Sequence, residues 1–309
     1  MKSVDVCIPV YKPGDELDKL MARLCRQTVK PKKIIIINTE KEYWNDAYCR
    51  WPQKEGIEVI LEHITKDEYD HGKTRDRMAG YADSELILFM TMDAFPADTR
   101  LIENMVKAFD DEKVASCYAR QLPKPGCSVL ERQTRMFNYP PESQVKSKED
   151  LERLGIKTFF CSNVCAMYKK SVYTELGGFP EKTIFNEDMI FAGKVIDAGY
   201  KIAYQAEARV FHSHNYTAGQ YFRRSFDMAV SQAQNPQVFK RVSSEKEGMK
   251  LVRSVIKKLL RRGKLLQIIS FIFCCGAKYA GYFLGKRYDK LPDFVIMACS
   301  DNKSFWKNS

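Results

Sequence analysis

No two of the ten cysteines stand in C-x-x-C spacing, so the chain lacks the usual frame of a structural zinc site. It also lacks an apolar leader: Met1-Lys2-Ser3 runs directly into Val4-Asp5-Val6-Cys7-Ile8. Without a secretory leader the expected setting is a reducing cytosol, with the cysteines acting as small buried hydrophobes rather than disulfides. Internal repeats and low-complexity tracts are missing too. A composition of 45% hydrophobic and 29% charged residues excludes bulk disorder. Acid is missing in one place: residues 250–264 hold seven Lys or Arg and no Asp or Glu, within a net charge of +11. Anionic lipid, nucleic acid or a nucleotide could each meet such a surface. No nucleic-acid recognition module accompanies the charge, so nucleic acid is not an expected partner.

What is present is an alternation of short apolar runs and helical patterns. Val4–Val10, Lys33–Ile37, Ile57–Leu61, Leu86–Met90 and Val114–Ala119 read as buried strands. Leu17, Leu20, Met21 and Leu24 mark one helix face, and Leu101, Ile102, Met105, Val106 and Phe109 another. This alternation predicts an α/β fold, Rossmann-like, with a mostly parallel sheet. Ligands in such sheets sit outside the carboxyl ends of strands, where Asn38, Asp93 and Arg120 fall. Residues 121–157, with Pro123, Pro125, Pro140 and Pro141, read as an irregular excursion with a short helix. Asn163–Tyr168 reads as a strand, Asp188–Ala198 as a helix closed by Gly199, and Ile202–Tyr204 and Ala208–Phe211 as two short strands. From Ala218 onward the pattern is helical. The expected division is a catalytic domain over 1–217 and a helical region over 218–309.

Four clusters carry chemistry. Asp93 follows an apolar strand, where one carboxylate can hold a divalent ion on a substrate phosphate; the alternative is a turn aspartate. Glu187-Asp188 opens a helix after Ile184-Phe185-Asn186. A carboxylate there can act as a general base, or can be an acidic first turn favoured by the helix dipole. Asp70-His71-Gly72-Lys73-Thr74-Arg75 precedes a helix and could serve a diphosphate, or could be a solvated turn. His212-Ser213-His214 ends a strand, so its two imidazoles share a face and can bind metal or phosphate.

Together, Val6-Cys7-Ile8-Pro9-Val10-Tyr11, the strand ending at Asp93 and Asn186-Glu187-Asp188 resemble the family-2 glycosyltransferases, whose fold is the nucleotide-diphospho-sugar transferase (GT-A) fold. Tyr69–Arg75, Phe89–Ala94 and His212–Thr217 look like signatures of the bacterial rhamnosyltransferases within it. The resemblance implies transfer of a sugar, L-rhamnose from a thymidine-diphosphate donor, to a hydroxyl of a growing cell-surface polysaccharide by an inverting displacement. A uridine-diphosphate hexose donor, or a non-catalytic scaffold on the same fold, is the alternative. It also implies Asp188 as the catalytic base beside Glu187, and a nucleotide-sugar pocket lined by Pro9, Tyr11, Asn38, Glu40, His71, Arg75 and Asp93. Magnesium or manganese would sit on Asp93, with His212 and His214 as further ligands. Thr91 stands where the first aspartate of the family's Asp-x-Asp motif usually lies, and Asn38 where many relatives place a base-reading aspartate.

Beyond residue 250, Leu251, Val252, Val255, Ile256, Leu259 and Leu260 recur at helical spacing, with basic residues on the rest of the wheel. Leu265–Gly285 follows with Lys278 as its only charge, about long enough to span a bilayer. Its expected roles are binding at the inner face of the cell membrane, near a lipid-linked acceptor, or packing on the core or in a homodimer. A true span is the least expected.

Overall fold

The computed structural model describes residues 2–242 and 244–307. Strands β1 (Val4–Tyr11), β2 (Lys33–Thr39), β3 (Glu58–Ile64) and β4 (Leu86–Met90) form a parallel block in the order β3-β2-β1-β4. The two-residue β5 (Phe95–Pro96), β6 (Val114–Leu122), the short β7 (Gln144–Lys146), β8 (Cys165–Lys169) and β9 (Lys201–Phe211) complete the sheet. The expected mostly parallel sheet is in fact mixed. β8 enters antiparallel between β4 and β6, and β5 and β7 pair antiparallel with β9. The chain leaves β6 and enters β8 at the same end of the sheet, so no crossover carries it back and the two strands run antiparallel. β9 is one strand where two were expected; the register jumps between Ala119↔Gln205 and Arg120↔Arg209, and that bulge explains the interrupted pattern.

Period-two alternation divides the strand side chains between two cores. Val4, Val6 and Ile8 join Ile34 and Ile36 on one face, covered by Leu17, Leu20, Met21 and Leu24 of α1 (Asp15–Cys25). Cys7, Ile35 and Ile37 join the other face with Met78 and Ala79 of α2 (His71–Tyr81). Leu101, Ile102 and Met105 of α3 (Leu101–Val106) return to the first face. The excursion contains α4 (Val129–Asn138), and α5 (Glu187–Asp197) packs Ile190, Phe191 and Val195 into the second core. The cysteines are free, and seven of them are buried.

The C-terminal region contains the helices α6 (Ala218–Gln234), α7 (Ser244–Leu260), α8 (Leu265–Gly285) and α9 (Asp293–Cys299), with shorter turns of helix at Pro236–Phe239 and Lys303–Lys307. α6 and α8 touch backbone to backbone: a Cβ on Gly281 would lie 2.1 Å from the Phe222 carbonyl oxygen, and one on Gly285 2.3 Å from that of Phe226. Gly281→Ala is therefore expected to destabilise the fold by about 1–3 kcal/mol, as overpacking does. Thermal unfolding checks this, and an unchanged midpoint would refute the close contact.

Candidate active site

At the carboxyl ends of β1 and β2, Val10 pairs with Asn38 and Tyr11 with Thr39. This register places Pro9, Tyr11, Asn38 and Glu40 at one end of the sheet. The Asn38 amide donates to the Glu40 carbonyl at 3.0 Å and lies 3.1 Å from His63 Nδ1. Its Oδ1 is buried with no partner. Glu40 takes positive φ, and its carboxylate accepts from the Lys66 amide at 2.5 Å.

β5 sets the second cluster. Phe95 pairs antiparallel with Phe211, so the turn after β4 folds over the end of β9. Asp93 Oδ2 then lies 3.4 Å from His212 Nε2 and 3.2 Å from His214 Nε2. The two imidazole nitrogens are 2.9 Å apart, and all the ligand atoms lie within 4.8 Å of one another. His212 Nδ1 faces Gln121 Oε1 at 3.0 Å. The Gln121 amide nitrogen donates to Ser162, and Arg135 donates to its oxygen. The orientation of Gln121 is thus fixed, and His212 turns a bare Nε2 toward Asp93. Burial pushes both imidazoles down in pKa, His214 to about 4 with help from its neighbour His212. One carboxylate and two imidazole nitrogens converging on one point are a donor set that fits a divalent metal.

The third cluster sits at the start of α5. Asn186 adopts left-handed φ of 63° and its amide donates to the Met228 carbonyl at 3.2 Å. Asparagine tolerates this conformation, and the turn aims both acids inward. Glu187 is buried and pairs with buried Arg75 at 3.2 Å. Asn163 ties the pair together: its amide side chain donates to Glu187 at 3.1 Å and its backbone N–H to Asp188 at 3.0 Å. Tyr168 holds Asn163 in turn, donating to its Oδ1 at 2.8 Å. Burial, and then the Glu187 charge, push the Asp188 carboxyl above its ordinary value. Burial opposes ionisation of Glu187 as well, but Arg75 and His71 bring it below its ordinary value.

Of the sequence candidates, Arg75 and His71 join the acids rather than an open helix end. Asp70 caps that helix, accepting from Gly72 and Lys73 at 2.8 and 2.9 Å. Gly72 lies so close to the Pro180 carbonyl that a Cβ would come within 1.9 Å. Asn163 and Gln121 went unnoticed in the sequence, since neither belongs to a cluster there. They connect the metal triad to the acids through the adjacent residues Ser162 and Asn163.

Residues 5–177 match the model of the family described as Glycosyl transferase family 2. The chain belongs to glycosyltransferase family 2. This glycosyltransferase is 38% identical to the O-antigen chain rhamnosyltransferase RfbN of Salmonella typhimurium, over 99% of this chain and 96% of that one. It is also 38% identical to the O-antigen chain rhamnosyltransferase WbaN of Salmonella anatum, over 100% and 97%. Among solved structures its fold resembles the mannosyltransferase PcManGT from Pyrobaculum calidifontis in complex with GDP-Man and Mn2+. There the TM-score is 0.61 and the identity 13%, over 94% of this chain and 88% of that one. S. aureus TarS 1-349 has a TM-score of 0.56 at 14% identity, over 93% and 91%. The glycosyltransferase acts on a nucleotide-diphospho-sugar donor.

Proposed function

We propose that the chain is a rhamnosyltransferase with a GT-A catalytic domain over 1–217. It moves L-rhamnose from a thymidine-diphosphate donor to a hydroxyl of a growing, lipid-linked cell-surface polysaccharide. The observation that carries this reading is the near full-length identity to two O-antigen chain rhamnosyltransferases. Asp188 takes the proton from the acceptor hydroxyl as that oxygen displaces the diphosphate from the sugar, with inversion. Asp93, His212 and His214 would hold the divalent ion, which when bound neutralises charge on the diphosphate. Two imidazoles beside one carboxylate suit manganese better than magnesium, which prefers oxygen ligands. The unpaired Asn38 carbonyl supports a pyrimidine base with an imide N–H, carried by thymine and uracil alike. Purified protein given lipid-linked saccharide should transfer sugar from dTDP-L-rhamnose. Transfer from a uridine-diphosphate hexose instead would overturn the rhamnose assignment. Absence of both transfer and nucleotide-diphosphate binding would leave a scaffold.

Residues 218–309 dock this enzyme on the inner face of the cell membrane. Helix α8 is long and apolar enough to cross a membrane, yet Ile268, Phe271, Gly281 and Gly285 are buried against the protein. Leu266 is 83% exposed, Phe273 70% and Phe294 of α9 76%. Arg253, Lys257, Arg261, Arg262 and Lys264 are exposed beside this apolar stripe, a combination that fits an anionic lipid surface. Reversing Lys257, Arg261 and Arg262 to Glu is expected to weaken binding to anionic vesicles by more than about 100-fold, since each basic residue contributes about 1 kcal/mol. Neutral vesicles should be affected far less. A protein that ignores vesicles at low salt and dimerises with concentration would place a second copy on this stripe.

A further inference from the structure

Arg224 of α6 stands between the metal triad and the acid pair. Its guanidinium lies 4.9 Å from the centre of the Tyr216 ring and 5.3 Å from that of Phe185. Tyr216 stacks on His214, with ring centres 5.0 Å apart. Phe185 directly precedes Asn186-Glu187-Asp188, and its ring is 6.2 Å from that of His71. The loop carrying Phe185 is held on α6 itself: Ser231 donates to the Phe185 carbonyl at 2.5 Å, and Ile184 packs with Phe226 and Val230.

Three other arginines near the cleft have acidic partners. Arg75 pairs with Glu187, Arg135 with Glu131 at 2.6 Å, and the adjacent Arg223 lies 3.6 Å from Asp301. Half-buried Arg224 has neither an acidic partner nor a hydrogen-bond acceptor among the described residues. Aromatic faces hold the guanidinium plane while leaving its N–H fork unused. A second cation lies nearby. Lys278 of α8 sits 5.4 Å over Tyr221, whose ring meets Tyr216 edge-on at 5.5 Å. A rigid fork with an unfilled set of donors, backed by an ammonium, suits the planar oxygens of a phosphate.

We propose that Arg224, with Lys278 behind it, is a diphosphate-binding residue of the cleft. This rests on the reading of the site as that of a nucleotide-diphospho-sugar transferase. The ligand is the donor's diphosphate or the diphosphate of a prenyl-linked acceptor. Arg224→Gln and Arg224→Lys in the full chain separate the sources. Thymidine diphosphate with manganese and a short-chain prenyl diphosphate are the probes, titrated by calorimetry, with manganese binding alone followed by electron paramagnetic resonance.

Arg224→Gln should weaken one probe by about 10- to 100-fold, the range for a hydrogen bond to a charged group, and leave manganese binding unchanged. Loss on the thymidine probe assigns the donor, and loss on the prenyl probe the acceptor. Wild-type affinity for both probes in Arg224→Gln would overturn the proposal. Should that variant fail to fold, Arg224→Lys decides, since it keeps the charge but loses the fork. About 5-fold weaker binding of one probe sustains the assignment, and unchanged binding of both overturns it. Wild-type protein that binds neither probe would remove the transferase reading itself, before any variant is made.

Discussion

Replacing Asp188 with asparagine is expected to slow sugar transfer by about 10²- to 10⁴-fold, the usual contribution of a general base, with donor binding intact. Asparagine keeps the shape but cannot take the hydroxyl proton. Asp188 suits the task because it is only partly buried while its partner Glu187 is enclosed and paired with Arg75. Burial and the Glu187 charge raise its pKa. The sign follows directly: as pH falls through the raised value the base gains a proton, so the acid limb of the rate profile lies above the ordinary carboxylate range of about 4. Arg75 favours the charged form of both acids. Arg75→Met should therefore move that limb to higher pH. It should also destabilise the fold by about 3–5 kcal/mol, because Glu187 is left buried without its counter-charge. A pH–rate profile and a thermal melt read both effects. Wild-type turnover in Asp188→Asn would mean that the acids serve only as the favourable first turn of α5.

Asp93→Ala is expected to remove the manganese dependence of nucleotide-diphosphate binding and to lower turnover by about 10²–10³-fold, comparable to losing one preorganised electrostatic contact. Asp93 supplies the carboxylate of a triad whose other donors are imidazoles, so no second acid at that point can replace it. Gln121→Leu should act more weakly, by about 10- to 100-fold on manganese affinity, because it frees the His212 ring without removing a ligand. Full activity of the wild-type chain in chelator would take the metal out of the reaction.

The parts of the site legible in sequence were those whose spacing is local. His212 and His214 share a face because side chains alternate along an extended chain, and Glu187 and Asp188 share a helix start because they are adjacent. Asp93 was marked by the end of a wholly apolar strand. Asn163, Gln121 and Arg224 bear no local mark: each is a single polar residue whose partners come from other elements. The fold divides in the same way. Apolar runs located the strands of both cores, but the direction of β8 leaves no trace in its own pattern, so the sheet was expected to be more parallel than it is. Residues 144–146 were too short and too close to Pro140 and Pro141 to register as the strand that pairs with β9.

The placement of β8 also bears on the order in which the molecule can be made. Residues 4–90 hold all of β3-β2-β1-β4 together with α1 and α2, which cover part of its two faces. A nascent chain can close that half of the sheet, and with it the strand ends that carry Tyr11 and Asn38, while the rest is still on the ribosome. The outer edge of β4 stays unpaired until residues 165–169 emerge, and Asp188, His212 and His214 follow later still. An apolar edge that waits through this interval is a place for misassembly. Slow synthesis between residues 90 and 170 should therefore lower the yield of soluble protein more than an equal delay after residue 215.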